Sequence, residues 1–244
     1  MPTVLRTLVL ATGLAVGGAA GLAQADTAAA NFSPSSNTGT WTFGSTATLG
    51  GAFTPFTVSG SSGGIDRWVS NTNPDYTQLP GAGHNGTPNS ITNGTVTIGA
   101  GQLSLHPGVF GEYSIARFTA PVAGTYSFSA SFMGLDFVGR PSGTGTTTDV
   151  HLQVNGVSWW GSNVNGFGIP STVSSGVYNI FLAAGGTIDA AVGYGSGPNP
   201  DLFYDSTGVD FNVRLVPLPA GVWAGGATML AVAGAGIVRR RRHV

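Results

Sequence analysis

The chain has 244 residues, 40 of them Gly, with no Cys, no Lys and only 8% charged residues. Zero Cys excludes disulfides, thiolate metal sites and cysteine nucleophiles. Between Asp26 and Leu215 ten acidic residues stand against four arginines, a net of −6, and a mildly acidic body without a basic stripe argues against nucleic-acid partners.

Met1–Ala25 reads as a secretory signal peptide. Arg6 supplies the positive start, Leu8–Ala20 is apolar and small, and Ala23-Gln24-Ala25 is an A-x-A cleavage site. Asp26 is then the mature start; the alternative is an uncleaved anchor. Residues 26–40, rich in Ala, Ser and Asn, read as a loose lead-in.

The body, residues 41–215, has the Thr, Val, Phe, Tyr and Gly mixture of strands and turns rather than that of helices. Trp41–Leu49, Ala52–Val58 and Ile65–Val69 are short strand-like runs, with Ser59–Gly64 a flexible loop between the last two. Asn71–Ser90 reads as a long polar loop carrying three prolines and the turn pair Asn85-Gly86. Thr125–Phe132 alternates cleanly, and so does Thr147–Val154, which marks half-buried antiparallel strands. Asn155-Gly156 fits a type I′ hairpin turn. Val177–Ala183 and Thr187–Tyr194 flank Gly185-Gly186 as a further hairpin, and Val209–Leu215 closes the domain. Many short strands with Gly turns and no soluble helix predict an all-β fold, an antiparallel β-sandwich of jelly-roll type.

The last 29 residues are a turn, a greasy segment and a cationic stop. Pro217 and Pro219 end the preceding strand, Val222–Val238 holds 17 uncharged residues, and Arg239, Arg240, Arg241 and Arg242 follow. The segment reads as a single apolar helix, with its arginines on the cytoplasmic side. Val216-Pro217-Leu218-Pro219-Ala220, the apolar segment and the Arg run together resemble the PEP-CTERM sorting signal in its VPLPA-type variant. The resemblance implies recognition by an exosortase, a membrane protease-transferase of bacteria that make extracellular polysaccharide, with cleavage near Pro219–Gly221. Four glycines and five alanines in the span depart from a Leu-rich anchor and favour a processed tail over a permanent one. A plain single-pass anchor is the alternative. A looser similarity, running from His106-Pro107-Gly108 through Gly186-Thr187-Ile188-Asp189, links the body to other exported bacterial β-sandwich proteins and carries no functional residue with it.

Chemistry-bearing patterns are few. Gly60-Ser61-Ser62-Gly63-Gly64 matches G-x-S-x-G but no helix follows, as a nucleophile elbow requires. Asp201, Asp205 and Asp210, with Asp189 across a hairpin, are candidate calcium ligands or a solvated acidic loop. His84, His106 and His151 lack metal spacing and read as surface or turn residues. Glu112 with Asp136 or Asp149 would form a glycosidase pair only by tertiary accident, so no catalytic residue is assigned and no enzyme is expected. Trp159-Trp160 is the candidate glycan-binding pair: strand neighbours point to opposite faces, so one indole enters the core and the other meets solvent, unless a bulge buries both. The expectation is an exported structural or adhesive protein that binds polysaccharide, with a secreted glycan hydrolase as the alternative.

Overall fold

The computed structural model describes residues 26–70, 80–138, 144–195 and 203–217. The strands are β1 (Asp26–Thr27), β2 (Trp41–Thr46), β3 (Thr54–Pro55), β4 (Val58–Ser62), β5 (Ile65–Val69), β6 (Gly81–Asn85), β7 (Ile91–Asn93), β8 (Val96–Ile98) and β9 (Leu103–His106). They continue as β10 (Tyr113–Thr119), β11 (Gly124–Gly134), β12 (Thr146–Val154), β13 (Val157–Gly166), β14 (Val173–Ser174), β15 (Tyr178–Leu182), β16 (Thr187–Gly193) and β17 (Thr207–Leu215). These elements belong to one compact unit, Ala23–Val216. The expected signal peptide (with Ala23 and Ala25), the sorting tail from Leu218 through Ala220 to Arg242, and its apolar segment lie outside the described residues. Among the described residues no helix is long and apolar enough to cross a membrane.

The fold is all-β with antiparallel sheets. One sheet runs β14-β11-β17-β9-β6-β5-β4, with β1 added to β17 and β15 to β11; the other runs β13-β12-β16-β10-β2-β3. Their inward faces share a core. Phe128, Phe132, Phe211 and Leu105 come from the first sheet; Trp41, Phe43, Phe118 and Leu152 come from the second. Edge-to-face contacts of Trp41 with Phe118 and Phe211, at 5.3 and 5.1 Å, tie the two sheets together. From β9 to β11 the chain changes sheet at every step, and it changes again at β12, β14, β16 and β17.

The alternating strands form as their sequences dictate, because apolar side chains of β11 and β12 fall on the core face. Asn155 and Gly156 both take positive φ, 49° and 78°, which is the I′ turn that joins β12 to β13. Other expectations change. Residues 26–40 are packed rather than loose: β1 pairs with β17, Ala28 and Phe32 enter the core, and Trp68 Nε1 donates to Ser33 O at 2.7 Å. Asn37, nearly buried, exchanges hydrogen bonds of 2.7 Å with the Phe43 backbone. Residues 59–64 form the β4–β5 hairpin, with Gly63 and Gly64 at positive φ in its turn. Val177–Ala183 and Thr187–Tyr194 do not pair. β15 adds to β11 while β16 lies between β10 and β12, so Gly185-Gly186 is a crossover between sheets.

The largest departure is β6. The expected loop at 71–90 contains Gly81-Ala82-Gly83-His84-Asn85, a strand between β5 and β9. Gly-rich sequence has little strand preference of its own. Here pairing with β5 and β9 on both sides sets it, and a Cβ on Gly83 would lie 2.8 Å from Ser104 Oγ. Asn85 ends the strand fully buried. Its Nδ2 lies 2.8 Å from Asn89 O, 3.1 Å from Ile98 O and 2.9 Å from Gly99 O, and its Oδ1 accepts from Thr87 N and Oγ1.

Candidate functional site

On β5 and β9, Trp68, Leu103 and Leu105 face the inter-sheet core. Period-two alternation therefore turns Arg67, Ser104 and His106 to the outer face. The β7–β8 hairpin stands over that face on a small apolar cluster of Ile65, Ile98 and Leu135. Backbone bonds from Thr97 N to Leu135 O (2.9 Å) and from Phe137 N to Thr95 O (3.1 Å) hold the hairpin in place. Between hairpin and sheet runs a groove of about 400 Å³, floored by Gly81-Ala82-Gly83. That volume is in the range of small-molecule sites.

The groove mixes apolar and polar lining. Arg67, Asn93, Thr95, Ser104, His106 and Asp136 supply the polar groups, and Phe203 and Tyr204 supply aromatic rings. Asp136 is buried and held: Thr95 Oγ1 donates to its Oδ1 and Ser206 N to its Oδ2, each at 2.8 Å. His106 Nδ1 sits 2.7 Å from Pro107 O, and a carbonyl only accepts. Nδ1 therefore carries the proton in the neutral ring, which leaves Nε2 as an acceptor. Burial pushes the His106 pKa below its ordinary 6.5, against the opposing pull of the Pro107 carbonyl, so the ring is neutral at neutral pH. Tyr204 has φ 66°, a left-handed conformation that a bulky residue adopts only under constraint. Strain of this sort, of order 1 kcal/mol, concentrates where a ligand is held.

The sequence-predicted residues fall elsewhere. A bulge between Leu152 and Gln153 leaves Trp159 unpaired on β13, opposite neither. The bulge breaks strict alternation at Trp159 while Trp160 keeps its contact with the core. Trp160 is half-buried and stacks on Phe132 at 6.0 Å; Trp159 stays 44% exposed, edge-on to Phe128 and Tyr178. The calcium candidates are not brought together. Asp205 is buried, its Oδ1 accepting from Thr147 N at 3.2 Å, and Asp210 is exposed and bonded to Asn212. Asp189 pairs with Arg117, and Asp201 lies outside the described residues. Among the described residues no three His, Asp or Glu side chains converge as a metal site.

The carboxylates considered as a glycosidase pair are each engaged. Glu112 Oε2 accepts from Phe110 N at 3.0 Å. Asp149 accepts from Tyr113 OH (2.7 Å), His151 Nε2 (2.9 Å) and Gly195 N (2.8 Å). His151 is thus no free surface histidine: its side chain is only 19% exposed and tied to Asp149. Burial alone would raise the Asp149 carboxyl, but those three hydrogen bonds outweigh it and hold the group below its usual range.

Sequence reasoning missed the groove because its floor is glycine and its walls come from four distant segments. The only local signal was the aromatic pair Phe203-Tyr204 beside aspartates. No protein-family model matches the sequence, and no curated protein is similar to it. Among solved structures the chain is similar to a family 35 carbohydrate-binding module from Clostridium thermocellum, at 14% identity and a TM-score of 0.26, over 66% of this chain and 98% of that one. It is similar to a CBM61 module solved with β-1,4-galactotriose, at 15% identity and a TM-score of 0.29, over 66% and 89%. It is also similar to a β-glucosidase from Kluyveromyces marxianus solved with glucose, at 13% identity and a TM-score of 0.25, over 52% of this chain but 13% of that one. Likenesses of this strength assign neither a residue nor an activity to this chain.

Proposed function

We propose that this is an exported surface or matrix protein whose jelly-roll body binds polysaccharide in the groove between the β7–β8 hairpin and the glycine floor of β6. One observation carries the reading: strained Tyr204 and its neighbour Phe203 line a groove that also holds Arg67, Asn93 and His106. Sugar rings offer apolar CH faces rimmed by hydroxyls, so they need flat aromatic surface beside convergent donors and acceptors. The Trp159 side supplies the aromatic surface, but no charged residue stands between Leu152 and Ile188, and the groove is the better match.

Delivery rests on the two ends of the sequence. Met1–Ala25 directs export with cleavage before Asp26, and the Val216–Ala220 signal with Arg239–Arg242 hands the chain to an exosortase at the inner membrane. Intact-mass analysis of surface-extracted protein tests this: the expected chain begins at Asp26 and ends near Pro219–Gly221, whereas one still ending at Val244 supports a plain anchor. The binding claim is tested by retention of the full-length chain, in mild detergent, on polysaccharide from a producing bacterium. Loss of retention in Tyr204→Gly is the expected result, and retention unchanged by that substitution contradicts it.

A further inference from the structure

From Leu152 through Ile188 the sequence runs 37 residues without Asp, Glu, Lys, Arg or His. The fold gathers this run on one side of the sandwich. It supplies β13, the outermost strand of one sheet, and β14 and β15, which add to β11 at the edge of the other. Six large apolar side chains in the run are exposed: Val157, Trp159, Phe167, Ile169, Val177 and Phe181. Val177 and Phe181, which flank and enter β15, are each 68% exposed.

Edge strands normally carry charges, prolines or bulges that keep another chain from pairing with them. β13 has such a bulge, at Trp159. β15 has none of these: its residues are Tyr178, Asn179, Ile180, Phe181 and Leu182, and its one pairing is with β11. The charge pattern selects what meets that edge. Residues 26–215 carry a net of −6, so two copies repel on approach by their charged faces. Contact through the uncharged run keeps the charges of the two bodies farther apart than contact through charged residues, which lessens the repulsion without abolishing it, and it removes apolar surface from water.

We propose that β15 is a self-association edge, at which a second copy of this chain pairs antiparallel about a two-fold axis and covers Val177 and Phe181. A two-fold contact of this kind uses the same strand from each copy and closes as a dimer. Added salt tightens it, because screening removes the repulsion between the acidic bodies.

Sedimentation of the full-length chain in detergent over a concentration series tests the proposal. Wild type is expected to be a concentration-dependent dimer that strengthens with salt. Phe181→Lys and, separately, Asn179→Lys place like charges together across the two-fold, and each is expected to weaken the dimer by at least about tenfold. Both side chains are exposed, so Asn179→Lys decides the matter should Phe181→Lys misfold. Phe110→Lys, 91% exposed and outside the uncharged run, is expected to dimerise like wild type. A wild type that stays monomeric overturns the proposal; if Phe181→Lys then also loses polysaccharide retention, the edge is a sugar platform instead. A dimer insensitive to both β15 substitutions also overturns it and assigns association to the apolar tail or another face.

Discussion

Arg117 on β10 grips Asp189 on β16 with two parallel bonds, Nε to Oδ1 and Nη2 to Oδ2, both 2.7 Å. The Phe53 ring lies 4.0 Å from the guanidinium carbon and covers the pair. Asp189 is almost completely buried, and that burial pushes its carboxyl up against the opposing pull of Arg117. Removing one partner strands the other. Arg117→Ala is expected to cost about 3–5 kcal/mol, read by denaturant unfolding. Replacing both, as Arg117→Met with Asp189→Leu, is expected to cost far less, because no buried charge is then left alone.

Tyr204 separates binding from stability. Glycine adopts a φ of 66° without strain, and the strain relieved offsets the added freedom of the unfolded chain. Tyr204→Gly is therefore expected to leave stability within about 1 kcal/mol of wild type. Its polysaccharide affinity is expected to fall roughly five- to thirtyfold, since stacking on one aromatic side chain is worth roughly 1–2 kcal/mol. Calorimetric unfolding and retention measured on the same preparation separate the two effects.

Two histidines make the body acid-sensitive. Burial lowers the pKa of His106 and of His84 below 6.5. The unfolded chain then binds protons that the folded chain refuses, so stability is full above about pH 6.5 and falls as pH drops toward the folded values. Asp149, held low, adds a second and separate loss only when pH falls below its ordinary 3.8. Urea unfolding between about pH 7 and pH 5 is expected to show the first loss, and His106→Gln to flatten it.

Asn85 is the pin of the hairpin. Its buried amide serves three carbonyls and two donors on the segment leading to β7 and the turn after β8. Asn85→Ala leaves those groups unmet and is expected to cost roughly 2–3 kcal/mol or more. Hydrogen exchange at the β7–β8 amides is expected to quicken beyond the global change, because the hairpin loses its tie to β6.

Much of the sandwich was legible, and the reason is local. β11 and β12 carry apolar residues at every second position, and Asn155-Gly156 can take the two positive φ values that a I′ turn demands. What was hidden is set by partners distant in sequence. Gly81–Asn85 is a strand because β5 and β9 pair with it on both sides, and at its centre a Cβ on Gly83 would press on Ser104 Oγ. The crossover at Gly185-Gly186 looked like a hairpin because a tight glycine turn reads the same whether its strands share a sheet or not. For Trp159-Trp160 the alternation left open which indole meets solvent; the structure half-buries Trp160 against the core and leaves Trp159 exposed, at a bulge whose place no local pattern gives. The groove combines both difficulties, with a glycine floor and walls drawn from β5, β7–β8, β9 and residues 203–206.

Affinity electrophoresis of the full-length chain through gels containing the producing bacterium's polysaccharide weighs the two aromatic sites against each other. With the groove as the sugar site, wild type and Trp159→Ala are retarded alike, and Tyr204→Gly runs free. A Trp159→Ala that runs free while Tyr204→Gly is retarded like wild type would contradict the account and move the sugar to the sandwich edge.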